Sequence, residues 1–287
     1  MSASNSELDP VVSVVTATHA GDALEHVHEA VESVLGQRFE RFELIVVLDG
    51  PVAPATREWL AQRSAEDARL RVCALASNAG AARARNAGIA EARGEYVAIL
   101  DADDVATPDR LDRQVAFARE TGADVVGSFY RVVRNDGSRF VKEVPLSEGA
   151  IRRALCLFNP IANSTVLARR DVIRKHPYPE APHSSGPCFD GEDYALWVDL
   201  ARRGYRLRNQ PECLVDFREG PDFMGRRRGL GPFRTDLASK LDALVLWPVL
   251  WRPLGLLACA ATALVRLLPR SLIAAAYAFR NRLRFRW

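Results

Sequence analysis

The chain has 287 residues, 48% of them hydrophobic and 26% charged, with a formal net charge of +3. That composition excludes a disordered or collagen-like chain and suffices for one large domain or two small ones. The charge is lopsided: Arg226 to Trp287 holds 12 Lys or Arg against 2 Asp, which leaves −7 for the first 225 residues. A basic end on an acidic body implies a polyanionic partner for that end.

In chain order, Val11-Val12-Ser13-Val14-Val15 is short and β-branched and predicts a buried strand. Asp22 is placed to cap a helix in which Leu24, Val27, Val31, Val34 and Leu35 recur at helical spacing. Leu44 to Leu48 predicts a second strand, Pro54 to Glu66 a helix, Leu70 to Leu75 a third strand, and the alanine-rich Ala79 to Ala92 another helix. Tyr96-Val97-Ala98-Ile99-Leu100 is the most apolar strand, and it stops at three carboxylates, Asp101, Asp103 and Asp104. A helix with Pro108 near its first turn follows. This alternation predicts right-handed βαβ units and a parallel sheet, whose ligands bind outside the carboxyl ends of the strands. Three polar loops leave that edge: Thr16-Ala17-Thr18-His19, Asp49-Gly50 and Asp101-Ala102-Asp103-Asp104.

After Asp124 the pattern changes. Val125 to Val133 and Arg139 to Val144 flank Asn135-Asp136-Gly137, a hairpin turn. A helix is expected over Ser147 to Leu157 and a strand over Ser164 to Ala168. His176 to Phe189 is rich in Pro, Ser and Gly and reads as a mobile loop. It leads into Gly191-Glu192-Asp193-Tyr194-Ala195-Leu196-Trp197, a helix that Gly204 ends.

From Leu241 on the chain is rich in Leu, Ala, Trp and Arg, and its longest uncharged run, Pro253 to Val265, is too short to span a bilayer. Trp247, Trp251, Phe279, Phe285 and Trp287 sit among seven arginines, a composition suited to an anionic membrane surface. The alternatives are helices packed on the domain or a dimer interface. Nucleic acid is not expected, because the arginines are interleaved with long apolar runs. The five cysteines (Cys73, Cys156, Cys188, Cys213, Cys259) show no paired or metal-like spacing and read as reduced thiols. The N-terminus lacks the basic and apolar segments of a signal peptide. The expected location is therefore cytoplasmic, peripheral on the inner face of the cell membrane. The expected division is one large domain over 1–240, with halves at about 10–124 and 125–225, and a basic helical tail over 241–287.

Asp101 and Asp103 can form half of a site for Mg²⁺ or Mn²⁺, since a hard cation takes one or two carboxylates and completes its shell with substrate phosphates. The alternative is loop solvation, with Asp104 or Thr107 capping the Pro108 helix. On its helix Asp193 shares a face with Leu196, Trp197 and Leu200, so it points inward, whereas Glu192 points elsewhere. The plainer reading is that both acids complement the helix dipole.

Five motifs in order resemble a family 2 glycosyltransferase with the GT-A fold. They are Val14-Val15-Thr16-Ala17-Thr18, Val46-Val47-Leu48-Asp49-Gly50, the stretch Asn78 to Gly88, Asp101-Ala102-Asp103-Asp104, and Gly191 to Trp197. The resemblance covers roughly residues 10 to 218. It implies an α/β, Rossmann-like, mostly parallel sheet flanked by helices, and inverting transfer from a UDP-, GDP- or dTDP-sugar. The acceptor implied is a glycan or lipid-linked hydroxyl. By the resemblance, Thr16 and Thr18 border the nucleotide pocket, Asp49 meets the nucleobase, and Arg85 and Asn86 shape the pocket. Asp101 lies near the ribose beside Ala102, Asp103 holds the metal on the diphosphate, and Asp193 is the general base, with Glu192 and Trp197 in support. The alternatives for Asn78 to Gly88 are close helix-to-sheet packing with Arg83 and Arg85 at the surface.

Three positions depart from the family pattern. Leu48 stands where the first of two aspartates is common, and Asn163 stands where a His is common, either touching the acceptor or forming a turn. Phe217-Arg218-Glu219 carries no His, so Arg218 or Arg226-Arg227-Arg228 is the candidate to neutralise phosphate, and the triple arginine is equally a solvated or membrane-facing run. Three rivals compete with the transferase reading. An Asp-x-Asp phosphoryl-transfer enzyme would place its motif after the first strand, and here three strands precede it. A metal-dependent nucleotidyltransferase leaves the Glu192-Asp193 helix unexplained. The third rival is a non-catalytic nucleotide-binding scaffold at the membrane.

Overall fold

The computed structural model describes residues 9–180, 191–220, 229–269 and 272. Most of the expected mobile loop, Cys188, the Arg226-Arg227-Arg228 cluster and the aromatic-arginine end beyond residue 272 lie outside the described residues.

The described strands form one nine-stranded sheet. Its first half is parallel: β1 (Val12–Thr18) lies between β2 (Phe42–Leu48) and β4 (Tyr96–Ile99), and β3 (Leu70–Ala74) flanks β2. The second half is mixed. β8 (Leu167–Arg169) runs antiparallel to both β4 and β6 (Val125–Arg134), and β9 (Leu207–Glu219) runs parallel to β6. β5 (Val105–Ala106) pairs with β9, and β7 (Arg139–Lys142) closes the expected hairpin with β6. The parallel core is thus as expected, and antiparallel strands extend it.

Nine helices are described: α1 (Leu24–Leu35), α2 (Pro54–Glu66), α3 (Ala81–Glu91), α4 (Arg110–Thr121), α5 (Glu148–Ala154), α6 (Arg170–Lys175), α7 (Glu192–Arg202), α8 (Leu230–Ala243) and α9 (Arg252–Leu264). The boundary expected at 240/241 falls inside α8.

Strict alternation along the central strands builds two cores. Val15, Ile45, Val47, Val97 and Ile99 face the side of α3 and α7, while Val14, Leu44, Val46, Ala98 and Leu100 face the side of α1 and α4. Both faces are covered, which is why these strands read as continuous apolar runs. Helix α3 sits very close to the sheet. A Cβ on Gly88 would lie 2.5 Å from Val15 Cγ1 and 3.0 Å from Val47 Cγ2, so the small residues of this stretch do permit close packing.

Local expectations fail where a side chain found a different partner. Asp22 does not cap α1, whose N-cap is Ala23; its Oδ2 accepts from the Thr18 hydroxyl at 3.0 Å and the His19 amide at 2.8 Å. Neither Asp104 nor Thr107 caps α4, which starts after Asp109 with no side-chain cap. The strand expected from Ser164 begins at Leu167, because Asn163–Thr165 forms a single 3₁₀ turn in which Thr165 Oγ1 donates to the Ala162 carbonyl at 2.7 Å.

One buried acid clamps the far end of the sheet. Glu43 is 3% exposed and accepts from Ser13 Oγ at 2.7 Å, the Arg93 amide at 2.8 Å, the Arg93 guanidinium and Arg71 Nη1. Burial alone would raise its pKa, but bonds from Arg93, Ser13 and Arg71 hold it below the ordinary value. The folded value lies below the unfolded one, so this stabilisation is complete above the unfolded pKa and is lost as pH falls through the folded value. Glu43→Ala is therefore expected to cost about 2 kcal/mol at neutral pH. In urea titrations the gap between variant and parent should narrow under acid; an unchanged gap would show that the clamp is not ionic.

Candidate active site

Three chain segments meet at the carboxyl edge of the parallel strands: the loop after β4, the start of α3 and the start of α7. Their meeting point is Arg85, on the sheet-facing side of α3. Its Nη2 donates to Asp101 Oδ1 at 2.7 Å and its Nη1 to Glu192 Oε1 at 2.6 Å. The guanidinium also lies 5.6 Å from the centroid of the Tyr178 ring. Burial disfavours this charge, but Asp101 and Glu192 more than compensate, so Arg85 stays firmly protonated. The surface alternative for Arg85 is thereby excluded, whereas Arg83 does lie outside, paired with Glu180. Glu192, expected to point elsewhere, faces this network and is 9% exposed.

Asp101 is the hub of the loop. Burial would raise its pKa, yet the Arg85 charge and bonds involving Arg85, Ser164 and Asn163 keep it low. Asn163 Nδ2 donates to Asp101 Oδ1 at 3.2 Å, and Asn163 Oδ1 accepts from the Tyr178 hydroxyl at 2.7 Å. Asn163 therefore bridges the loop after β4 and the Tyr178 segment from within its turn. Tyr178 is 1% exposed. Its backbone is fastened to Asn86, whose side chain accepts from Tyr178 N and donates to Tyr178 O, each at 2.9 Å.

Asp104 is almost fully buried, and its Oδ1 accepts from the Arg218 amide at 2.8 Å. Its Oδ2 is buried with no hydrogen-bond partner. Burial, and then the charges of Asp103 and Asp101, push its carboxyl well above the usual range. Beneath the loop, buried Arg110 donates to the Ile99 carbonyl at 2.8 Å, and desolvation lowers its pKa to about 10 against the pull of Asp104 and Asp101.

Asp101 and Asp103, whose charges crowd Asp104, are the carboxylates of this loop with the chemistry to meet a divalent cation. Among the described residues no group of three His, Cys, Asp or Glu side chains is arranged to hold a metal alone. A site of one or two carboxylates completed by substrate phosphates is the arrangement these residues offer.

Asp193 lies in the first turn of α7 and accepts from Asn159 Nδ2 at 2.8 Å and from the Tyr194 amide at 2.7 Å. Trp197, one turn on, is fully buried and packs edge-on to Tyr178 with centroids 6.1 Å apart. It supports the helix from the core and presents no surface to an acceptor.

The remaining candidates line the edge in different ways. Thr16 and Thr18 are buried at the end of β1, and Ala102 is buried beneath the loop. Asp49 ties the chain before α3, accepting from the Ala79 and Gly80 amides at 2.7 and 3.0 Å. Arg218 pairs with Glu29 of α1 and lines a cavity with Val105, Val133, Arg139 and Asp216; its Nη1 is buried without a hydrogen-bond partner. Asn159 and Tyr178 are the site residues that sequence reasoning missed. The only signal for Tyr178 was an aromatic residue between two prolines in a polar stretch.

A family model for glycosyl transferase family 2 matches residues 13–184. Amylovoran biosynthesis glycosyltransferase AmsE of Erwinia amylovora is 29% identical over 228 residues, covering 78% of this chain and 82% of that protein. The putative teichuronic acid biosynthesis glycosyltransferase TuaG of Bacillus subtilis is 30% identical over 209 residues, covering 73% and 79%. The O-antigen biosynthesis glycosyltransferase WbnJ of Escherichia coli is 28% identical over 213 residues, covering 72% and 79%. Among solved structures, S. aureus TarS 1-349 in complex with UDP-GlcNAc superposes with a TM-score of 0.59 at 18% identity, covering 93% of this chain and 92% of that one. The mannosyltransferase PcManGT from Pyrobaculum calidifontis, in complex with GDP-Man and Mn²⁺, gives 0.58 at 16% identity, covering 96% and 81%. At such identities the structures establish the fold, a GT-A architecture.

Proposed function

This chain belongs to glycosyl transferase family 2, and on that premise we propose an inverting, single-displacement transfer with Asp193 as general base. The chain is a glycosyltransferase; the proposal concerns how it acts and on what. The acceptor oxygen attacks the anomeric carbon, the bond from that carbon to the diphosphate breaks, and Asp193 takes the hydroxyl proton. The observation that carries this reading is the chain Asp101–Arg85–Glu192, which ties the loop after β4 to the first turn of α7, where Asn159 orients Asp193.

Thr16, Thr18 and the Asp49-anchored turn border the nucleotide, which is a UDP-, GDP- or dTDP-sugar. Asp103, with Asp101 sharing, would hold Mn²⁺ or Mg²⁺, which when bound supplies Lewis-acid neutralisation of the departing diphosphate. Arg218 is the candidate to add positive charge beside the diphosphate, with its amide on Asp104 and its guanidinium paired with Glu29. Three of the relatives are named for the biosynthesis of amylovoran, teichuronic acid (putatively) and O-antigen. We therefore assign the acceptor to a cell-envelope glycan, lipid-linked and met at the inner face of the membrane, with the basic C-terminal region toward anionic lipid.

The test is Mn²⁺-dependent hydrolysis of a nucleotide sugar. Asp103→Ala is expected to lower it by about 10²-fold or more, consistent with loss of several kcal/mol of charge stabilisation. Equal hydrolysis by parent and variant would remove Asp103 from the site.

A further inference from the structure

Among the described residues, a feature that the proposed chemistry leaves unused is an apolar crown on the last two helices and the turn between them. One side of this pair is built into the domain. Lys240 Nζ, 3% exposed, donates to Asp236 Oδ2 at 2.5 Å and to Thr262 Oγ1 at 2.9 Å, which locks α8 to α9. Cys259 of α9 is buried, its thiol 3.1 Å from the Cys156 carbonyl. Trp247 Nε1 donates to the Arg153 carbonyl at 3.1 Å, and Arg202 of α7 pairs with Asp242 of α8 at 3.3 Å. The contact reaches the catalytic turn itself: a Cβ on Gly191, which has φ +120°, would lie 3.2 Å from Thr235 Cγ2 of α8.

The other side is bare. Val249 is 72% exposed, Leu250 86%, Trp251 56%, Leu254 55% and Leu257 69%. Leu254 and Leu257 lie on one face of α9, and Leu250 is exposed in the 3₁₀ turn Val249–Trp251 that leads directly into it, so the three form a patch rather than scattered surface leucines. From Leu244 to Trp287 the sequence carries Arg252, Arg266, Arg270, Arg280, Arg282, Arg284 and Arg286, and not one acid. No helix among the described residues is long and apolar enough to cross a membrane.

We infer that this crown docks on an anionic bilayer, with α9 lying in the interface plane. Leu250, Leu254 and Leu257 enter the acyl boundary, Trp251 sits at headgroup depth, and the acid-free, arginine-rich composition of the C-terminal sequence favours anionic headgroups. The inference rests on the membrane-side reading above and deepens it by naming the docking residues. Because α8 is seated on α7, docking also fixes the height of the Asp193 cleft above the bilayer. The acceptor it serves is accordingly a sugar carried on a membrane lipid.

The full chain should float with vesicles of phosphatidylglycerol and phosphatidylcholine and not with phosphatidylcholine alone, and high salt should weaken the binding. The exposed-face variant Leu250→Glu/Leu254→Glu/Leu257→Glu should bind these vesicles at least about tenfold less well. Its calorimetric binding of a nucleotide sugar with Mn²⁺ should match the parent. Equal flotation of variant and parent overturns the inference. So does a parent dimer that the variant converts to monomer with no vesicle binding, which would assign the face to a second copy. Normal flotation with no nucleotide-sugar binding instead sinks the transferase reading and leaves docking standing.

Discussion

Asp193→Asn is expected to reduce sugar transfer by about 10²- to 10⁴-fold, the usual contribution of a positioned general base, and to leave donor binding as it was. The amide keeps the size of the carboxylate, and its oxygen can still accept from the Tyr194 amide, but its NH2 then faces the Asn159 Nδ2 donor, so that contact is lost. What also disappears is the capacity to take a proton. Asp193 is separated by Glu192 and Arg85 from the loop after β4, which we propose meets the donor, so the donor should not sense the change. Rapid-quench transfer measured alongside calorimetric donor titration separates the two effects. A variant that loses donor binding, or one that transfers normally, contradicts the assignment. Asn159→Ala gives the graded companion result: transfer falls less, because the base remains but is no longer held.

Arg85→Ala should have the largest effect on stability, costing about 3–5 kcal/mol, the usual cost of removing one partner from a buried ion pair. Asp101 and Glu192 would then face each other's charge with little water to help. Arg85→Lys is not a conservative repair, because a single ammonium cannot present two parallel donors to two carboxylates. Arg85→Ala/Glu192→Gln should recover part of the loss by removing one stranded charge, a coupling that a thermodynamic cycle measures. The deficit is also pH-dependent. Asp101 has a folded pKa below its unfolded value, so its stabilisation is present above the unfolded value and fades as pH falls through the folded one. Parent and Arg85→Ala should therefore converge in acid. A variant as stable as the parent at neutral pH would show that the Arg85 network carries no net stabilisation.

The central strands were legible because burial on both faces forces apolar runs such as Leu44 to Leu48, which few other structures tolerate. The motif loops were legible because strand ends in a parallel sheet place polar residues at one edge. The failures share a cause: side chains that bond across long sequence separations leave no local periodicity. Asp22 looked like a cap, yet its carboxylate went to the turn it sits in. Glu192 was placed by helical angle alone, but a long side chain in a first turn can reach Arg85 on another helix. Tyr178 lay in a stretch whose prolines and serines read as loop, and its burial depends on Asn86 and Trp197, which composition cannot foresee. The mixed half of the sheet was similarly hidden, because β8 spans only Leu167–Arg169.

The central claim is that the cleft at the edge of β4 works on a nucleotide-activated sugar. Release of nucleoside diphosphate from a panel of UDP-, GDP- and dTDP-sugars, with Mn²⁺ or Mg²⁺ and an envelope glycolipid extract as acceptor, tests it most directly. The account predicts metal-dependent release from one nucleotide class, lost in Asp103→Ala and Asp193→Asn. No release and no binding of any nucleotide or nucleotide sugar, with or without metal, would contradict it.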